Sequence, residues 1–438
     1  MKSPKVLIIN QPFDNVTGGG ITLSNLFKDY PKEKLAVVCS GYLINENTNF
    51  EACSKYYQIG HKEHRWKFPF NLFKRKYFSG EVQKPKAIVD QTPSDKPNLK
   101  SSLRLSFINK VFYPTLEFLG LYHNSSIQEL SPELCAWLDE FSPDILYAQA
   151  SSRNSILFCI QVQYYLDKPL VFHMMDDWAS MVKTEGIFGK YWFRRIEKDF
   201  QTLFEKSSVL LSISDLMAKE YKERYKKEFF TFHNPIDVEF WNKNRKSKSK
   251  LESPAILLYA GRVGTGIDSS LQEVAAAIEI VNETTDYEIQ FALQTAEAPK
   301  WIRNYSHTKH NPYVEYDELP RIFSEADFLI LPYDFDEKGL SFIRLSMPTK
   351  ASEYLASGTP VIVFSPKSTA VVDYVEKHQC GMTVLENDAE ILASKIKELM
   401  DNDQMRLDLV KRGVEVAEKY HSQDEVSKRF QELISSLN

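Results

Sequence analysis

The chain has 438 residues, 43% of them hydrophobic and 26% charged, with a formal net charge of −5. That length exceeds one ordinary core and suits two domains, and the composition excludes intrinsic disorder. The acidic balance argues against a nucleic-acid binder, and five scattered cysteines without a CxxC pair read as free buried thiols rather than a disulfide frame or zinc site.

The N-terminus reads MKSPKVLIINQPF. Its apolar run is too short for a signal-peptide core, and no run in the chain approaches the roughly 20 residues of a spanning helix. A cytoplasmic protein is expected, with contact to the inner face of a membrane. Short apolar runs then alternate with amphipathic stretches. Buried strands are predicted at 5–10, 34–40, 144–149, 169–174 and 208–214, and again at 255–261, 287–293, 327–333 and 360–365. Continuous apolar runs of this length, separated by helical patterns, are the mark of parallel strands covered on both faces. SPELCAWLDEF, KYWFRRIEKDFQTLFEK, SDLMAKEYKERY and DELPRIFSEA supply helices, the first and third opening on a capping Ser. The pattern predicts an α/β fold of two open sheets. The first domain spans 1–240, the linker 241–254, the second domain 255–420, and a last helix at 421–438 packs back on the first domain.

Residues 60–110 break the alternation. HKEHRWKFPFNLFKRKYFSG carries six Lys or Arg and one acid among bulky aromatics. Basic aromatic stretches lie on anionic membrane surfaces; the alternative is an insertion whose aromatics pack under the domain.

Five features carry chemistry. Gly18, Gly19 and Gly20 precede an amphipathic stretch, so their amides form an anion site at a helix N-terminus. In HMMDDWAS, a buried strand ends at His173, and Asp176 and Asp177 follow; paired carboxylates serve as base, grip sugar hydroxyls or bind a metal, although no further metal ligand lies at suitable spacing. In LLYAGRVGTGID, Arg262 leaves a strand toward a Gly-rich turn, suited to phosphate oxygens, with Asp268 as N-cap. The stretch 311–339 brings a polar loop to the carboxyl edge of the sheet. In LSMPTKASEYLASGTPVIVF, Lys350 and Glu353 share a helical face. A phosphate suits Ser346, Thr349 and Lys350, and a pair of sugar hydroxyls suits Glu353. No metal site is expected.

YAGR, YVEYDELPRIFSEADFLILPY and EYLASGTPVIV, in that order, resemble the two-domain nucleotide-sugar glycosyltransferases of the GT-B fold, particularly the retaining family 4. PDILYAQ, the DDW loop, LSISDLMAKEY and HNPID add likenesses in the N-terminal half. The resemblance implies two Rossmann-like α/β domains and a glycosyltransferase moving sugar from a nucleotide diphosphate donor to a glycan or lipid-linked acceptor of surface polysaccharide or glycoconjugate synthesis. The alternatives are a sugar-nucleotide epimerase of the same fold and a non-catalytic partner subunit. By resemblance, Glu353 binds the ribose, Arg262 the diphosphate, Tyr313 and Val314 flank the base, and Gly19 and Gly20 approach the donor phosphate. No cofactor beyond the nucleotide-sugar co-substrate is implied. Three departures stand out. Leu345 replaces the first of two glutamates, Ile267 replaces a lysine for which Lys350 stands in, and His173 precedes the family's His-Asp pair by two positions. That register assigns Asp176 or Asp177 to acceptor contact and base.

Overall fold

Val6–Ile9, four aliphatic residues without solvent contact, form the first strand (β1) and the centre of a sheet. The computed structural model describes residues 3–14, 17–68, 70–72, 77–82, 112–183, 186–245 and 250–437. Much of the basic aromatic insertion, including 73–76 and 83–110, lies outside the described residues.

The chain divides into two compact units, one of Met1–Ser212, Ala218–Thr231 and Lys428–Asn438, the other of Ile213–Met217 and Phe232–Ser427. In the first unit, β1 is joined by β2 (Leu35–Ser40), β3 (Lys55–Ile59), β5 (Gly80–Val82), β7 (Ile145–Ala148), β8 (Leu170–Met174), β9 (Val209–Ser212) and β10 (Phe230–Thr231). Their order is β10-β9-β8-β7-β1-β2-β3-β5, parallel except for β5 on the edge. A separate antiparallel pair joins β4 (His64–Trp66) to β6 (Ser126–Gln128). Within this unit, Phe430 of the helix Gln423–Ser435 packs edge-on against Phe27 and Tyr147, and the Gln431 side-chain amide donates to the carbonyl oxygen of Lys28 at 2.8 Å.

The second unit holds a six-stranded, all-parallel sheet of order β13-β12-β11-β14-β15-β16. Its strands are β11 (Ala255–Ala260), β12 (Ile289–Gln294), β13 (Thr308–Asn311), β14 (Phe328–Pro332), β15 (Val361–Phe364) and β16 (Met382–Val384). The helices Asp268–Thr284 and Ala389–Asp401 cover one face, placing Leu271, Val274, Ile278, Leu392 and Ile396 over Phe291, Phe328 and Ile362. A sheet buried on both faces needs strands apolar on both faces, which is why these runs do not alternate. Trp241, expected at the start of a linker, belongs to the short helix Val238–Asn242. It is buried in the second unit against Phe323 and Tyr316.

In each sheet the strand order reverses beside its first strand, between β1 and β7 and between β11 and β14. Loops leaving the carboxyl ends of such neighbours diverge and open a crevice. Among the described residues no helix is long and apolar enough to cross a membrane.

Candidate functional site

At the carboxyl end of β11 in the second unit, Gly261 meets the helix Thr349–Ser357. A Cβ at Gly261 would lie 2.1 Å from Lys350 Nζ, so the ammonium occupies space that only glycine leaves open. Lys350 Nζ donates to Tyr259 Oη at 3.2 Å and rests 4.4 Å from the centre of the Tyr259 ring, a cation–π placement. Tyr259 Oη in turn donates to the carbonyl oxygen of Arg262 at 2.6 Å. The cation is thus held at the sheet edge by an aromatic face and a hydroxyl.

Glu353 lies one turn further along the same helix and is only 6% exposed. Its carboxylate accepts no hydrogen bond from the described residues. Burial pushes its carboxyl up to about 7, with the Lys350 ammonium acting against the shift. A buried carboxylate without a donor is costly unless a ligand supplies one. No side chain caps this helix, which follows Pro348; the Ala351 amide donates to the Pro348 carbonyl oxygen, and the amides of Thr349 and Lys350 remain for an anion beside Ser346 and the Lys350 ammonium.

The flanking turns are tightly built. Asp334 accepts from Ser269 Oγ at 2.8 Å and Ser270 N at 2.9 Å, while its own amide donates to the carbonyl oxygen of Gly266. Asp268, expected as N-cap, is instead the first helical residue after Ile267, and its carboxylate accepts from Trp301 Nε1. Arg262 is exposed and donates to the carbonyl oxygen of Thr265 at 3.1 Å, folded over its own turn. Tyr313 and Val314 follow β13 and are exposed, Tyr313 by 57%.

The SMPTK segment is gripped through its backbone. Ser214 Oγ donates to the carbonyl oxygen of Leu345 at 2.6 Å, and Asn234 Nδ2 to that of Met347 at 2.9 Å. The Leu345 side chain is buried in the core, so the position of the absent first glutamate faces inward here.

In the first unit the structure corrects several expectations. The turn before the helix Gly18–Leu26 already contains a carboxylate. Asp14 accepts from Thr17 N at 2.6 Å and Thr17 Oγ1 at 2.7 Å, and a Cβ at Gly20 would lie 2.2 Å from Asp14 Oδ2. Gly20 N donates to Thr17 Oγ1, so that amide is not free for an outside anion. His173 does not end its strand. It lies within β8, fully buried, and burial pulls its imidazole down to about 3. Gln149 Nε2 donates to Tyr147 Oη at 3.1 Å, and the Tyr147 hydroxyl shares a hydrogen bond of 2.9 Å with His173 Nδ1. The ring is therefore neutral, and its Nε2 has no partner among the described residues. The same chain reaches the glycine turn, since a Cβ on Gly19 would lie 3.3 Å from Gln149 Oε1. Asp177 is buried and fully engaged, accepting from Tyr221 Oη at 2.7 Å, Ser180 Oγ at 2.6 Å and both terminal nitrogens of Arg224. Asp176 beside it is half-buried. Among the described residues no group of three or more His, Cys, Asp or Glu could hold a metal ion.

Residues 254–402 match the family described as glycosyl transferases group 1. Solved structures similar over the chain include sucrose-phosphate synthase from Thermosynechococcus elongatus, at 12% identity and a TM-score of 0.61 over 100% of this chain and 99% of that one. Anabaena HepE in complex with UDP and glucose matches at 12% identity and 0.57, over 99% and 100% of the two chains. A glycosyltransferase from Rickettsia africae matches at 11% and 0.61, over 100% and 99%. The chain has the GT-B fold, and its residues 254–402 match a glycosyltransferase family. A search of curated proteins finds no match.

The structure brings together Lys350, Glu353, Thr349 and Ser346 with the Gly261–Arg262 turn, and separately Gly19 with His173 through Gln149 and Tyr147. It does not leave Asp177 open. Tyr259, Ser214, Asn234 and Gln149 had no role from sequence. All four stand inside quoted stretches, YAGR, LSIS, HNPID and ILYAQ, and a polar residue at the end of an apolar strand was the available signal.

Proposed function

We propose that this glycosyltransferase takes sugar from a nucleoside diphosphate donor and passes it, with retention, to a hydroxyl of a glycan or lipid-linked acceptor in surface polysaccharide or glycoconjugate synthesis. The observation that carries the donor reading is the buried, donorless carboxylate of Glu353 one turn from Lys350. A ribose offers paired hydroxyl donors to the first, and a diphosphate offers oxygens to the second. HepE, which shares the fold, is described in complexes with UDP, with UDP and glucose, and with UDP-glucose. That supports a nucleotide donor here without deciding the base.

In the proposed reaction, the bond between the anomeric carbon and the diphosphate oxygen breaks and an acceptor oxygen bonds to the same carbon. The acceptor proton passes to a base or to the departing diphosphate. Lys350, Arg262 and the helix amides before Ala351 offset the negative charge that grows on the leaving group. Tyr313 and Val314 would flank the base. Asp176 would contact the acceptor, and Asp177 would act by holding the loop that carries it. The Gly19–Gln149–Tyr147–His173 chain would position the glycine turn near the sugar.

Thermal melting against a panel of nucleoside diphosphates and their sugars tests this reading, because a ligand selective for the folded state raises Tm. At least one should raise Tm in the wild type and leave Glu353→Ala unmoved. A flat panel would overturn the donor assignment. Conversion of the donor sugar without acceptor would instead indicate an epimerase.

A further inference from the structure

The first unit carries an apolar knuckle built from two short segments. The amide of Ile187 donates to the carbonyl oxygen of Phe118 at 3.1 Å. Gly186, at φ 50°, comes so close that a Cβ would lie 2.1 Å from that oxygen, and Gly120, at φ 62°, would place one 2.8 Å from Phe188 Cβ. Two glycines with positive φ thus let the segments lie back to back. Trp192 anchors them from below, against His123 and under the Arg153 guanidinium. The outward side chains are Phe118, Leu119, Leu121, Ile187, Phe188 and Tyr191, with Ile187 62%, Tyr191 60% and Phe118 56% exposed. A contiguous exposed apolar surface of this kind marks an interaction site.

Its charge identifies the occupant. The helix Gly189–Lys206 continues from the knuckle, and Tyr191, Arg194, Arg195 and Lys198 recur at spacings of three and four, on one exposed face with Lys190 beside them. None of these four cations has an acidic partner among the described residues. The nearby acids of the helix are engaged elsewhere, Asp199 by Arg153 and Glu197 by the Tyr225 hydroxyl. The basic stretch at 61–67 differs, since Lys62 pairs with Glu133, Arg65 with Glu129, and Lys67 donates to Asn124. Unpaired cations behind an aromatic and aliphatic apex fit a bilayer, where the apex enters the interface and the cations meet anionic headgroups.

We propose that Phe118–Leu121 and the exposed face of 187–198 dock this glycosyltransferase on an anionic phospholipid surface. The proposal deepens the acceptor reading above and rests on it only for its purpose, delivery of the enzyme to a lipid-linked acceptor.

The test is co-sedimentation of the full chain with vesicles of phosphatidylcholine alone, or of phosphatidylcholine mixed with phosphatidylglycerol. The wild type should sediment with the mixed vesicles and not with phosphatidylcholine alone. Arg194→Glu/Arg195→Glu should lose binding about tenfold or more, and so should Ile187→Ser/Tyr191→Ser. Both variants should keep the wild-type melting temperature and the wild-type Tm response to nucleoside diphosphates. No sedimentation of the wild type, or variants that bind as it does, would overturn the proposal. So would a wild-type dimer that the same substitutions dissociate in the absence of vesicle binding, which would make the face a self-association surface. Vesicle binding with no nucleotide response would sink the donor reading and leave the docking surface standing.

Discussion

The side-chain amide of Asn234 donates at 2.9 Å to the backbone carbonyl of Met347, three residues before Lys350. The backbone carbonyl of the same Asn234 accepts from His421 Nδ1 at 3.0 Å, and Tyr374 Oη donates to His421 Nε2 at 2.8 Å. Burial pulls His421 down to about 3, so this buried network stays neutral and keeps one set of donors. The segment before the helix Thr349–Ser357 is thereby tied to residues distant in sequence, and Lys350 inherits its position from them.

Asn234→Ala removes that donor and leaves a buried carbonyl unpaired, costing about 1–3 kcal/mol of stability. Because the carbonyl belongs to the proposed donor segment, nucleoside diphosphate affinity should also fall about tenfold, or about 1.4 kcal/mol. Titration calorimetry beside thermal melting separates the two effects. Unchanged affinity with a lowered Tm would reduce Asn234 to a structural residue.

Glu353 predicts a pH dependence with a definite sign. Its folded-state carboxyl titrates near 7 against an ordinary value of 4.5. Such a group contributes stability that is fully present below 4.5 and lost as pH rises through 7. The free protein should therefore lose stability across that window relative to Glu353→Gln, whose stability lacks this component. Ribose hydroxyls donate to the ionised form, so donor binding should tighten as pH rises through 7. A parallel pH profile in wild type and Glu353→Gln would refute the assignment.

Gly261→Ala should separate affinity from folding. The new Cβ would fall 2.1 Å from Lys350 Nζ, the movable end of a long side chain, at a backbone φ of 154°. The conformational strain costs about 1–3 kcal/mol, which leaves a folded protein, but the ammonium must leave the Tyr259 ring. Diphosphate binding should drop to the level of Lys350→Ala, and combining the two changes should add little, because both remove one interaction. Additive losses would show that Gly261 acts by another route.

Arg224→Ala should destabilise the first unit by about 3 kcal/mol, at the lower end for a buried pair because the guanidinium keeps some solvent contact. Asp177 would be left buried with two hydroxyl donors and no cation. Arg224→Ala/Asp177→Asn should recover part of the loss, as measured by urea denaturation. Failure to recover any of it would mean that the ion pair is not the source.

The alternation of apolar runs and amphipathic stretches was enough to locate nine strands, because central parallel strands buried on both faces are apolar throughout; more polar strands such as Lys55–Ile59, Thr308–Asn311 and Met382–Val384 give no such signal. AILLYA and VIVF could hardly be anything else. Lys350 and Glu353 were also legible, since a three-residue spacing on a helix puts them on one side. Other features came from packing and not from local pattern. DDW looks like an open pair of acids until Tyr221 and Arg224, more than forty residues on, fold over Asp177. His173 looks like the end of a strand because Met174 and Met175 do not distinguish strand from loop. Trp241 sits in a polar stretch that reads as linker, although Phe323 and Tyr316 bury it.

By itself, the sequence determined the two α/β sheets and the residue types gathered at the candidate site, because periodicity and helical spacing are local properties of the chain. Only the tertiary structure decided which of those residues are open to a ligand and which are already satisfied. Glu353 is buried without a donor, Asp177 is buried with several, and Lys350 stands over Gly261. These differences are set by desolvation and by partners brought close across the fold, neither of which local sequence encodes.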